Sequence, residues 1–163
     1  MSDTELFERR RFEEVGLSME IHRTWPLEST PLEGGLNTYQ RVADTLGLVF
    51  LRHGQRETFE VFVESLSDLV TTVSVTGDEA IAFCGSAARR LTLLQHRQSM
   101  GVYHWHGKDL VHSQSPEIST VISLVAFTHR RLPVLVGYRI PSQHLGDYRA
   151  ILERIVESVE PIV

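Results

Sequence analysis

Residues 101 to 112, GVYHWHGKDLVH, hold His104, His106 and His112 within nine positions, and imidazole is a common zinc ligand. If the stretch through His106 is a strand, His104 and His106 project from one face with Cα atoms roughly 6.6 Å apart. That spacing lets two imidazoles close on one ion. His112, across a short connection, is the candidate third ligand, and Asp109 or Glu117 offers a carboxylate. Three protein ligands plus a water make a catalytic zinc arrangement. Its bound water, with a pKa of about 7, attacks an ester or amide. The same residues have a plainer reading. Tyr103 and Trp105 alternate with the histidines, as on an edge strand with aromatics packed inward and imidazoles in water. One reading makes a small metal-dependent hydrolase using zinc; the other leaves the chain without a cofactor.

Other chemistry-bearing residues are sparse. Cys84 is the only cysteine, so an intrachain disulfide and an all-thiolate zinc site are both excluded. Beside Phe83 and small residues it reads as apolar filler more readily than as a nucleophile. Gly85 and Ser86 lack the glycine pattern of a nucleophile elbow, and neither a dinucleotide-binding nor a P-loop glycine motif occurs. Asp78 and Glu79 beside Gly77 read as a solvated turn. His129, Arg130 and Arg131 fit a basic hairpin tip. Arg89 and Arg90 put one guanidinium on each face of a strand, and the inward one requires a carboxylate or carbonyl partner.

The elements that must carry these residues follow from periodicity. Ser2 to Glu5 has the S-x-x-E form of a capping box, predicting a short helix through about Glu14 or a mobile tail, ended by Gly16. Leu17, Met19 and Ile21 alternate with polar residues as a strand does, closed by Trp25 and Pro26. Residues 27 to 37 are rich in turn formers and read as a loop. A strand pair follows, Thr38 to Val42 and Leu46 to Arg52. Phe59, Phe62, Val63, Leu66, Leu69 and Val70 recur at intervals of three and four, predicting a helix over 58 to 70. Thr71 to Val75 reads as a frayed or turning segment, and Gly77 with Asp78 as a turn. Strands are expected at Ala80 to Cys84 and Ala88 to Gln95, broken at Gly85, and at Met100 to His106. Residues 107 to 118 read as loop. Thr120 to Thr128 and Val134 to Ile140 form an apolar strand pair joined by residues 129 to 133. A last helix runs to about Glu160, with Ser142 as its expected N-cap. Pro161 closes it.

Composition bounds the class. The chain has 163 residues, 42% apolar and 23% charged, as ordinary globular proteins do. The reading is one domain over residues 1–163, with 1–16 the short helix or tail. A net charge of −5 lacks the basic stripe of a nucleic-acid binder. The charged, non-apolar N-terminus and the shortness of the apolar runs predict a cytoplasmic chain with no membrane span. Two amphipathic helices among strands with short connections argue for α+β: a mostly antiparallel β-sheet flanked by helices.

Trp25-Pro26 after an early strand, VFLRHGQRETFEVFVESLSDL (49–69), CGSAARRL (84–91) and LPVLVGYRIPSQHLGDYRAILERIVESV (132–159) together resemble the PsbP-like fold. This αβα sandwich is shared with Ran-binding Mog-type proteins and adaptor chaperones of type VI secretion. The resemblance spans about residues 17 to 160; the segment 97–119 is longer than the pattern expects. It implies an αβα sandwich that binds proteins without catalysis, its partner another protein or an apolar peptide segment. In the secretion chaperones' case that segment belongs to an effector. It transfers no site residues, because fold alone carries no chemistry. A non-enzymatic protein-binding module is therefore the leading expectation, a His104/His106/His112 hydrolase the rival, and a homodimer built on the helix faces a third possibility.

Overall fold

The computed structural model describes residues 3–163 other than 33, 34, 45, 69, 70, 100 and 115. One helical turn, α1 (Asp3–Leu6), leads directly into strand β1 (Phe7–Phe12), which pairs antiparallel with β2 (Leu17–His22). This corrects the helix or tail expected over residues 1–16; Ser2 of the expected capping box lies outside the described residues. Burial explains the difference. Phe7 and Phe12 anchor both ends of β1 in the core, and the intervening arginines stay wet. Arg9 donates to Ser18 Oγ and to the Ser158 carbonyl, each at 3.0 Å.

Next come β3 (Leu27–Leu32), β4 (Gly35–Val42) and β5 (Gly47–His53). The expected loop at 27 to 37 is thus β3 and the start of β4. Pro31 is tolerated there because β3 is a sheet edge. Helix α2 (Phe59–Leu66) starts at Thr58, whose Oγ accepts from the Val61 N–H at 3.3 Å. It is shorter than its apolar stripe suggests; Leu69 and Val70 lie outside the described residues. Strands β6 (Thr71–Phe83) and β7 (Ser86–Arg97) are long. The turn expected at Gly77 is instead a register shift between Val75 and Gly77, a bulge that bends an edge strand. The real turn is Cys84 and Gly85, both with positive φ (51° and 73°), which matches the strand twist as type I′ turns do.

Strands β8 (Gly101–His106) and β9 (Asp109–Gln114) form a separate ribbon. Strands β10 (Ile118–His129) and β11 (Leu132–Pro141) turn through Arg130 and Arg131 alone, again with positive φ (52° and 68°). A 3-10 turn (Ser142–His144) precedes α3 (Leu145–Glu157). Ser142 makes no side-chain cap, and His144 takes the N-cap position. The short strand β12 (Glu160–Pro161) rejoins β2.

Among the described residues the strands make three antiparallel sheets: β1-β2-β12, β3-β4-β5-β11-β10-β7-β6 and β8-β9. The α+β class and antiparallel pairing hold, but the architecture is dominated by sheet, with a single helix on each face of the seven-stranded sheet rather than a helical layer. One face of the seven-stranded sheet buries Val49, Leu51, Val136 and Ile140 against Met19 of β2 and Leu152 and Ile155 of α3. The opposite face buries Phe50, Leu91, Leu93, Leu124 and Leu135 under Phe62 of α2. Gln40, fully buried, ties the two sheets together. Its amide donates to the carbonyls of His22 and Trp25 (2.9 and 2.8 Å), and its Oε1 accepts from the His22 N–H at 3.0 Å.

Two histidines are buried in this frame. His22 stacks on Trp25 with ring centroids 4.2 Å apart, and Thr24 donates to its Nδ1. His53 faces the His129 carbonyl through Nε2 at 3.3 Å, and its Nδ1 has no protein partner. Burial lowers both pKa values, and for His53 it outweighs the raising effect of the His129 carbonyl. A histidine depressed in the folded state binds a proton more readily when unfolded, so it stabilises the fold above about pH 6.5 and progressively less as pH falls toward the folded value. The urea midpoint is expected to drop between pH 7.5 and 5.5, and the drop should be smaller in His53→Gln. An equal slope in the variant would remove His53 from this account.

Candidate functional site

The β8–β9 ribbon extends the connection between neighbouring strands β7 and β10. Its turn is Gly107 and Lys108, with Gly107 at φ 63°, the glycine-first pattern of a type II′ hairpin. That two-residue turn sets the register: Tyr103 faces His112, His104 faces Val111, Trp105 faces Leu110, and His106 faces Asp109. Residues opposite one another in an antiparallel pair share a face. His104 and His106 therefore share one face with Val111 and Asp109, while His112 lies on the other, its ring 4.8 Å from that of Tyr103. The His104/His106/His112 zinc centre is not assembled, and Glu117 lies beyond the ribbon. Among the described residues no three His, Cys, Asp or Glu side chains converge on a metal position.

The inward-packed aromatics are corrected as well. Every residue of both strands is exposed, with Tyr103 at 67%, Trp105 at 70% and Leu110 at 55%. Tyr103, Trp105, Leu110 and His112 form one aromatic face that nothing else among the described residues covers. A free two-stranded ribbon is marginal in water, and exposed aromatic clusters of this kind mark contact surfaces. In sequence, the alternation of Tyr103 and Trp105 already marked the face; its exposure was not legible.

The remaining candidates resolve as structural. Cys84 donates to the Val159 carbonyl (Sγ–O 3.2 Å), and burial, aided by nearby Glu160, pushes its thiol up to about 11. It has no thiolate at neutral pH and is a poor nucleophile. Asp78 lies within β6 and takes two hydrogen bonds from Arg89 at 2.6 and 3.3 Å. Those bonds hold the carboxyl below its ordinary range. Arg90 on the other face reaches Glu157 at 3.8 Å. His129 sits 3.1 Å from the Gly16 carbonyl, so the basic tip is partly docked on the turn after β1.

Beneath and beside α2 lie two of the hollows on the seven-stranded sheet. One, of about 520 Å³, is an open groove bordered by Phe59, Ala87, Ala126 and Leu135. The other, of about 270 Å³, lies between α2 and strands β4, β5 and β11. Tyr39, Phe50, Phe62 and Leu66 line it, with Arg52 and Arg139 at its edge. Arg52 pairs with Glu57 (Nε–Oε2 2.9 Å). No sequence motif pointed to this pocket, because its residues come from four separate elements. No described helix is long and apolar enough to cross a membrane.

No protein-family model matches the chain, and no curated protein sequence does. Among solved structures, it is similar to the solution structure of cyanobacterial PsbP (CyanoP) from Synechocystis sp. PCC 6803. The TM-score is 0.60 at 9% identity, over 96% of this chain and 93% of that one. The likeness is one of fold: the chain has a PsbP-like fold.

Proposed function

We propose that the protein is a non-enzymatic protein-binding module whose recognition element is the β8–β9 ribbon. The observation that carries this reading is the ribbon's uncovered face of Tyr103, Trp105 and Leu110. Aromatic anchors of this kind dominate interface energetics when a partner desolvates them. The partner is another protein presenting an apolar segment, and the chain works as one folded unit in the cytoplasm. The resemblance to secretion adaptors extends the reading to a chaperone that shields an apolar stretch of a client before export. That extension rests on fold analogy.

The test is photo-crosslinking in the source cell, with a photoreactive phenylalanine at position 105 and, as control, at exposed Val75. A discrete adduct with a second protein from 105 and none from 75 is the expected result. Trp105→Ala should then weaken that purified complex by about 30-fold with no change in unfolding midpoint. An adduct with a second copy of this chain would replace the client by a homodimer. No adduct, or the same adduct from both positions, would sink the proposal.

A further inference from the structure

We infer that the pocket between α2 and the sheet is a binding site for a monocarboxylate carried on an apolar group about the size of one aromatic side chain. The argument begins with charge. Arg41, Arg52, Arg89, Arg97 and Arg139 sit on the α2-facing side of their strands; the first three each hold a carboxylate, Glu28 at 3.4 Å, Glu57 at 2.9 Å and Asp78 at 2.6 Å, and Arg97 is exposed to water. Arg139 has none within ion-pair distance among the described residues. Its one bond is from Nη2 to Gln95 Oε1 at 3.4 Å, and the Gln95 amide is committed to the Leu66 carbonyl at 3.0 Å. Arg139 is half-buried, and a guanidinium there gains most from a carboxylate that matches its planar fork.

The lining selects the rest of the ligand. Tyr39, Phe50, Phe62 and Leu66 offer aromatic and aliphatic surface, and about 270 Å³ lies just under the roughly 300–1,000 Å³ of drug-sized sites. Charge count argues for a single negative charge. Arg52 is neutralised by Glu57, so Arg139 is the one uncompensated cation of the lining. The pocket also lies at the C-terminal half of α2, beside Ser65 and Leu66, where the helix dipole disfavours negative charge, a dianion more than a monoanion. A phosphate monoester is therefore a poorer match than a carboxylate. The carboxylate can be that of a free small acid or of the last residue of a polypeptide. This site lies on the seven-stranded sheet, apart from the ribbon, and stands or falls independently of the proposed function.

The experiment is an NMR titration of the full chain with 3-phenylpropionate, 3-phenylpropanol, and a hexapeptide ending in phenylalanine as acid and as amide. Saturable shifts of Tyr39, Phe50 and Phe62 resonances are expected with 3-phenylpropionate at a Kd of about 1–10 mM. The alcohol should bind about tenfold more weakly. Arg139→Gln, checked for an unchanged unfolding midpoint, should lose about tenfold for the acid and little for the alcohol. Peptide acid tighter than both 3-phenylpropionate and the peptide amide assigns the site to a chain terminus. Free acid equal to or tighter than the peptide acid assigns it to a small metabolite. Equal affinity of acid and alcohol, unchanged acid binding in Arg139→Gln, or no saturable shift would overturn the inference. If Arg139→Gln fails to fold, Ser65→Phe, which narrows the pocket from the helix side, should abolish the shifts while leaving Arg139 in place; retained shifts would overturn it.

Discussion

Replacing Gln40 with alanine is expected to lower the free energy of unfolding by about 3–5 kcal/mol. The side chain is fully buried and serves three backbone groups: the His22 N–H, the His22 carbonyl and the Trp25 carbonyl. Alanine removes all three partners at once, and an unsatisfied buried polar group costs about 1–3 kcal/mol. The cavity is polar, so a water can enter and recover part of the loss. Gln40→Glu separates the contributions. An ionised carboxylate still accepts from the His22 N–H but cannot donate to either carbonyl, so it should be no better than alanine at neutral pH. Urea unfolding measures both. A loss below about 1 kcal/mol in Gln40→Ala would show that the two sheets do not depend on this amide.

Phe62→Ala should cost a similar amount, about 3–5 kcal/mol, with a different distribution over the molecule. Helix α2 has eight residues, too few to persist without tertiary support. Phe62 is its buried residue, packed on Phe50 with ring centroids 5.6 Å apart and with the Arg52 guanidinium 5.9 Å from its ring. Without that ring, Thr58's cap and the partly buried Phe59, Val63 and Leu66 are left to hold the helix. Hydrogen exchange is expected to show amides 59–66 losing protection toward the open-chain value while β10 and β11 stay protected. Uniform loss across the sheet would instead make α2 an inseparable part of the folding unit. The variant also removes a wall of the 270 Å³ pocket, so 3-phenylpropionate should bind it more weakly.

Much of the fold was legible because the strongest signals are local. Leu17, Met19 and Ile21 read as a strand at a period of two and are all buried. Phe59, Phe62, Val63 and Leu66 read as one helical stripe, and α3 follows the same logic through Leu152, Ile155 and Val156. The weak elements were misread for identifiable reasons. Arg9, Arg10 and Arg11 between glutamates look helical. They form a strand that pairs along its whole length with β2, and its two ends, Phe7 and Phe12, are buried. LESTPL has little apolar alternation, as suits an edge strand with its middle in water. Gly77 marked a bulge, and Cys84 with Gly85 made the turn, because pairing with β7 governs where β6 bends.

The sequence by itself determined the α+β class, from the order of its elements, and the strand character of residues 101 to 106 with the shared face of His104 and His106. The last two depend only on neighbours within a few residues. Tertiary structure decided the rest. Residues 107 to 118 hold a second strand and a two-residue turn, and that turn length sets which residues oppose one another. A register one residue different would have put His112 on the side of His104 and His106; the observed one puts it beside Tyr103. Side-chain parity in a hairpin flips with each residue of slip, so three histidines in sequence became two on one face and one on the other. Arg139 shows the same dependence at longer range. Within LVGYRIP it is an ordinary strand cation, and its missing carboxylate becomes visible only when β4, β5 and α2 close around it.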